Sequence, residues 1–458
     1  MKIGLLDHMG YGNLGDAATQ DALIANIKLR LPEVQLVGFS LNPVDTEKRH
    51  SIPSYSITNW HPGLDRQPTG ADNSTSKSNA QQLKSFLKQI PVLSSPLRWL
   101  QNLMREFRHL GRSYRCVRAL DCLVIAGGGQ LSELWRGPWS HPYNVFKFSV
   151  LAKLARRRLL VVNVGAGPIK SRLGKAFIRA SVRIADYVSL RDVESQELVQ
   201  DLGIRREIYV FPDSAYALDM TPYTEANTSR ERKQVVGINP IGFCDPRIWP
   251  RQDAALYSRY LDGLAQFSLW LLSKGYDPKI FSAERSVDIY AIEDLKDRLR
   301  AGLPAEAIDR ICSPRLETVE DLLTEMAGFD FVVTSKFHGV VFSHLLARPM
   351  VAISYHRKID DLMRTVGDSR YCLNIESFDS DLLIRTFAEL AENTSTLKAK
   401  YRQIVATRAG SLNLQFDDIF APEHFGHDHG GMRSVIAGKI DSGPEWPSPP
   451  SALEERNQ

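Results

Sequence analysis

The sequence predicts two doubly wound α/β lobes, and three observations carry that prediction. Its short strand-like runs are apolar throughout rather than alternating, as parallel strands buried on both faces must be. Amphipathic helical stretches separate these runs. Near the middle, Asp219–Gln234 (DMTPYTEANTSRERKQ) interrupts the pattern with turn formers and charge, and the alternation then restarts.

In order, KIGLLDH reads as a first strand, followed over 16–31 by a helix with Leu23, Ile24, Ile27 and Leu31 on one face. VQLVGFSL is a second strand. DCLVIA, LLVVNV, YVSL and IYVF follow, with helical patterns near 144–157, 173–185 and 192–202. The second lobe reads VVGINP, a helix near 252–274, KIFSA, a helix near 286–300, FDFVVTS, a helix near 339–347, and MVAIS. The expected division is a first lobe over 1–220 with an insertion over about 43–118, a second lobe over 235–375, terminal helices over 376–418, and a disordered tail over 419–458. Residues 61–80, polar and rich in Ser and Pro, read as mobile.

The bulk numbers exclude several classes. The chain has 458 residues, enough for two cores, with 43% hydrophobic residues and a net charge of only +4. That charge gives no warrant for nucleic-acid binding. Five scattered cysteines, none in a CxxC pair, fit a reducing compartment better than a zinc site or a disulfide framework. The N-terminal apolar run is too short for a signal peptide, and no stretch is long enough for a membrane span. The expectation is a cytoplasmic protein. Residues 97–118 place Leu97, Leu100, Met104 and Phe107 at helical spacing beside Arg98, Arg105, Arg108, Arg112, Arg115 and Arg118. They read either as a peripheral contact with the inner face of a membrane or as a packed helix with a solvated basic face.

Four motifs stand at strand ends, where open α/β sheets bind ligands. GYGNLGD, Gly10 to Asp16, combines a glycine turn with a helix N-terminus that Asn13 or Asp16 can cap. No acidic residue ends the second strand, so a nicotinamide cofactor is poorly supported. Gly127, Gly128 and Gly129 close a buried strand and let a ligand approach the backbone. In SLRDVES, Arg191 marks a strand-to-helix junction and suits a carboxylate or phosphate, with Asp192 placed as a cap; Asp213 in FPDSA repeats the theme. In SKFHG, Lys336, His338 and Gly339 lie where a strand yields to a helix, and Lys358 lies beyond the next strand. Two cations and a histidine on one sheet edge point to anion binding with proton transfer. His344, inside the following helix, reads as packing.

Together these motifs resemble the polysaccharide pyruvyl transferase family. The order matches over about residues 3–365: Gly-Asn-Leu-Gly-Asp, the triple glycine, Ser-x-Arg-Asp-x-x-Ser, Pro-Asp, a Ser-Arg-x-His-Gly-type segment and Tyr-x-x-Lys. One departure is Lys336, where the family usually has arginine. The resemblance implies a GT-B-like pair of Rossmann-like lobes facing a cleft. It implies a pyruvyl transferase of surface or exopolysaccharide biosynthesis, with phosphoenolpyruvate as donor and a saccharide, lipid-linked in one version, as acceptor. His338 would be the acid/base. Asn13, Gly15, Asp16, Gly128, Gly129, Arg191, Lys336, Gly339 and Lys358 would bind substrate, with no metal and no further cofactor. Two alternatives stay open. One is a nucleotide-sugar glycosyltransferase, with Glu284 or Glu317 on the ribose hydroxyls; the other is a non-catalytic protein that binds an anion or a sugar.

Overall fold

A computed structural model gives the fold and describes residues 1–7, 12–58, 91–133, 137–223, 232–284, 288–313 and 315–425, with only the backbone given for 91–102. Two wholly parallel sheets form it. The first holds β1 (Lys2–Leu6), β2 (Gln35–Ser40), β3 (Ser54–Ser56), β4 (Cys122–Ala126), β5 (Arg158–Val164), β6 (Tyr187–Leu190) and β7 (Tyr209–Val210) in the order β3-β2-β1-β4-β5-β6-β7. The second holds β8 (Val235–Asn239), β9 (Asp277–Ile280), β10 (Phe331–Thr334), β11 (Met350–Ser354) and β12 (Cys372–Asn374) in the order β12-β11-β10-β8-β9. Central strands β4, β10 and β11 are buried from end to end, which is why their sequences are apolar without alternation.

Helices cover both faces. In the first lobe they are α1 (Leu14–Arg30), α2 (Pro43–His50), α3 (Pro91–Arg118), α4 (His141–Leu154), α5 (Arg172–Ile184) and α6 (Val193–Gln200). Val117, Phe148, Ile178 and Val199, from α3, α4, α5 and α6, fill one core, so these four helices form one layer. The second lobe has α7 (Ala254–Ser273), α8 (Asp288–Arg300), α9 (Ala305–Ile311), α10 (Val319–Ala327), α11 (Phe337–Leu345) and α12 (Arg357–Thr365). Side-chain caps start most of them: Asn13 accepts from Gly15 and Asp16, Asp192 from Ser195, and Thr318 forms a capping box with Asp321.

Two differences from the sequence reading concern the edges. The stretch over 43–118 is not wholly outside the lobe, because β3 extends the sheet and the C-terminal part of α3 packs on it. The chain also stays packed beyond 418. It runs through α13 (Ser380–Glu392) and α14 (Thr394–Ile419) to a turn over Pro422–Phe425, with Phe420 fully buried and Arg158 over the Phe425 ring. Residues 61–80 and 426–458 lie outside the described residues. α14 crosses back to the first lobe, where the Gln415 amide bonds Asn163, Tyr187 and Ser189 in a buried network. The lobes also meet at backbone level, where Leu14 N–H donates to Ala283 C=O at 2.9 Å. The C-terminal strand ends of both sheets therefore face one cleft.

Candidate active site

The cleft encloses about 180 Å³ and takes lining from both lobes: Asn13, Asp16, Gly129 and Arg191 from the first, Lys336, His338 and Lys358 from the second. Gly15, Gly128 and Gly339 shape it without lining it. A Cβ on Gly15 would collide with the His338 ring, and one on Gly339 with the Thr334 side chain, so both glycines allow close approach of packed elements. Gly128 takes positive φ in the turn after β4, and its carbonyl accepts from Gly165 N–H at 2.8 Å. A Cβ on Gly129 would meet nothing within 4 Å, and this glycine opens to the cleft. Gly10 lies outside the described residues.

SLRDVES serves to aim Arg191. Asp192 caps α6 through Ser195 N–H at 2.7 Å, and its second oxygen accepts from Arg191 Nε at 3.3 Å. The guanidinium lies over the Phe337 ring at 4.5 Å and its Nη1 is 3.6 Å from Asp213 Oδ2. Asp213 is the centre of the site, although its sequence signal is only a Pro-Asp at a short strand end. It is fully buried and binds Ala215 N–H and the Thr19 hydroxyl, both at 3.0 Å. Burial opposes its charge, yet His338, Arg191 and the Ala215 N–H together hold the carboxyl well below the usual carboxylate range. His338 Nε2 stands 3.3 Å from Thr19 Oγ1 and 3.7 Å from Asp213 Oδ2. With the Thr19 hydroxyl donating to Asp213, its oxygen is left to accept from His338, so a hydroxyl links the carboxylate to the imidazole. Thr19 carries no motif, because its role depends on α1 crossing under α11.

Lys336 stands in the wall as expected, but its charge is already taken up. Its Nζ is 2.7 Å from both Glu284 Oε2 and Asp288 Oδ1. Burial works against the ammonium, but Asp288 and Glu284 outweigh it and hold it well above the ordinary lysine value. Burial, with help from Glu284, pushes Asp288 up to about 7 despite the nearby ammonium. The sequence could not show this trio, because the end of β9 and the start of α8 deliver both carboxylates from far along the chain. Glu284 is thereby committed to Lys336, while Glu317 is not among the cleft-lining residues.

Lys358 lies over the Phe337 and Tyr355 rings, each at 5.8 Å, and forms no ion pair among the described residues. Two further lining residues are not among the sequence candidates, although His356 falls within Tyr-x-x-Lys. His356 caps α12, its Nδ1 accepting from Lys358 N–H at 3.2 Å, so a neutral ring carries its proton on Nε2. Burial first, then Lys358 and Arg191, press its pKa down to about 4. Trp249 also lines the cleft, edge-on to Tyr355. At the rim, Glu194 of α6 meets Asp361 and Arg357 of α12. Burial and then Asp361 push Glu194 up to about 7. His344 is packing, as expected: it is fully buried and bonded to the Tyr216 hydroxyl at 2.7 Å.

Comparison with known proteins adds three findings. The sequence model of a family described as polysaccharide pyruvyl transferase matches residues 13–357. The amylovoran biosynthesis protein AmsJ of Erwinia amylovora is 21% identical over 418 residues, covering 88% of this chain and 95% of that one. Among solved structures, a putative UDP-N-acetylglucosamine 2-epimerase from Listeria monocytogenes aligns at TM-score 0.53 with 9% identity, covering 92% of this chain and 95% of that one. The UDP complex of MnaA from S. aureus aligns at 0.51 with 8% identity, covering 93% and 96%. At such identities the structural likeness shows the fold alone, a GT-B-like pair of lobes.

Proposed function

Since the chain belongs to the polysaccharide pyruvyl transferase family, we propose that its cleft moves the pyruvyl group of phosphoenolpyruvate onto a saccharide and releases phosphate. The observation that carries this reading is the convergence of Arg191 and His338 from two lobes on one small cleft, with the buried Asp213 behind both. The likeness to a protein of amylovoran biosynthesis supports an acceptor in exopolysaccharide assembly.

The donor carries a phosphate and a carboxylate, so it needs cations and hydrogen-bond donors. Arg191, Lys358 and the His356 Nε2–H supply them. A proton delivered to the donor's methylene carbon leaves an oxocarbenium-like centre at the neighbouring carbon. One sugar hydroxyl adds there. The second adds as the bond to the phosphate oxygen breaks. Of the two hydroxyl protons, one balances the new methyl group and the other leaves with phosphate, giving a cyclic ketal. His338 handles a proton in this sequence, backed by Thr19 and Asp213. A cavity of about 180 Å³ favours a small donor, since drug-sized ligands usually occupy about 300–1,000 Å³. The engagement of Glu284 by Lys336 also weighs against a ribose-binding role for that carboxylate.

The test is incubation with phosphoenolpyruvate and candidate sugars, lipid-linked and free. Phosphate release matched by acceptors gaining one ketal supports the reading. Absence of both, with consumption of a nucleotide sugar instead, would replace it with glycosyl transfer.

A further inference from the structure

The helix layer of the first lobe carries a charge that the whole chain does not. From Arg105 onward α3 has Arg105, Arg108, Arg112, Arg115 and Arg118 against the single acid Glu106, and all five arginines are exposed. α5 shows Arg172, Lys175, Arg179 and Arg183, also exposed, and has no acid at all. These nine cations and one carboxylate give 9 − 1 = +8, against +4 for the entire chain, so the rest is net negative. Glu106 itself turns inward to the Tyr143 hydroxyl and Lys147. None of the nine cations enters an ion pair among the described residues.

Large apolar side chains are exposed on the same layer: Met104 (51%), Phe107 (63%), Trp139 (65%) and Leu173 (37%). These four share one end of it, whereas Leu154 is exposed at the far end of α4. The Glu106–Tyr143 bond sets 104–107 level with the first turn of α4, Trp139 lies two residues before α4 and packs edge-on against Phe177, and Leu173 is in the first turn of α5. That is the cleft end, for His141, at the start of α4, lines the cleft. We propose that this face docks on an anionic lipid surface, with the apolar side chains entering the headgroup layer beside the cleft mouth and the cations lying along the lipid phosphates.

The layout favours a membrane over a polymer strand. The cations sit on two helices with α4 between them, so a broad plane meets both and a single glycan strand meets one. Mixed cationic and large apolar side chains on one face are the pattern of interfacial binding. No helix among the described residues is long and apolar enough to cross a membrane, so the contact is peripheral. It would bring a lipid-linked acceptor to the cleft, but it does not depend on the chemistry proposed above.

The experiment co-sediments the full chain with vesicles of phosphatidylcholine alone or mixed with phosphatidylglycerol, at low and high salt. Expected is binding to the anionic vesicles that high salt abolishes, because such attraction is screened within roughly 10 Å at 0.1 M. Two variants, R172Q/R179Q/R183Q and R105Q/R108Q/R112Q, each weaken binding at least about tenfold, since a basic side chain near an anionic leaflet contributes roughly fivefold. Melting temperatures show that each variant is folded, and either set alone decides. M104S/F107S/W139S weakens binding to the same vesicles. Phosphate release from phosphoenolpyruvate with a water-soluble acceptor stays unchanged in all three variants, which separates this inference from the proposed reaction. No binding at low salt, equal binding to neutral vesicles, or wild-type binding by either charge variant overturns it. So does capture by immobilised polygalacturonate without capture by anionic vesicles, which would assign the face to a glycan.

Discussion

His338 reaches Thr19 and Asp213 across the lobe boundary, so its imidazole is positioned by the hydroxyl and carboxylate of the other lobe. His338→Ala should lower transfer about 10²–10⁴-fold, the usual loss for a general acid/base, while donor binding measured by calorimetry changes little. Asp213→Asn keeps the shape but removes the charge facing Arg191 and His338. It should lower kcat by about 10²-fold or more, and a variant within a few-fold of wild type would remove Asp213 from the mechanism. Lys336 calls for a different expectation, because its ammonium serves two carboxylates. Lys336→Ala strands Glu284 and the buried Asp288, and losing one partner of a buried ion pair costs about 3–5 kcal/mol. Urea denaturation should show that loss, and Lys336→Arg should restore most of it. If Lys336→Ala instead raises the donor KM with unchanged stability, the lysine contacts substrate.

Between elements, the glycines divide by what faces them. α1 and α11 cross so closely that Gly15 has no room for a methyl group beside His338, whereas Gly129 faces open space. Gly15→Ala should therefore cost about 1–3 kcal/mol, the usual range for overpacking, and also lower kcat by displacing the imidazole. Gly129→Ala should leave the melting temperature unchanged and raise a substrate KM. Equal stability in both variants would contradict the tight crossing. The same logic explains what the motifs conceal. Gly-Asn-Leu-Gly-Asp reads as an anion-binding turn, yet Asn13 caps α1 and Gly15 makes room for a side chain of the other lobe.

Across the whole molecule, the meeting of the lobes sets Glu194 of the first against Asp361 of the second. Glu194 is raised to about 7, so its bound proton favours this contact between the lobes. The sign follows from that direction: the contribution is full below the ordinary value of 4.5, falls as pH rises and is spent by about 7. Arg357 and Asp192 are the other charges acting on Glu194, one easing its ionisation and one opposing it. The donor KM of the wild type should therefore rise between about pH 4.5 and 7 and level off above, more steeply than that of Glu194→Gln, which keeps the contact without titrating. Identical pH profiles for the two would show that the pair does not govern how the lobes hold the donor.

Local chemistry determined much of this protein directly from its sequence. Runs as apolar and unalternating as CLVIA and MVAI read as parallel strands covered on both faces, and the break over Asp219–Gln234 separates two such sheets. Arg191, His338 and Lys358 were legible because strand ends are where an α/β sheet exposes side chains to ligands. The tertiary structure decided the partners. Asp213, Thr19, Glu284 and Asp288 carry weak signals or none, since their importance comes from which side chain lies opposite, and that depends on how the two lobes meet. It also decided where charge collects, because α3 and α5, separated by more than fifty residues, become parts of one face only when both pack with α4 on the same sheet.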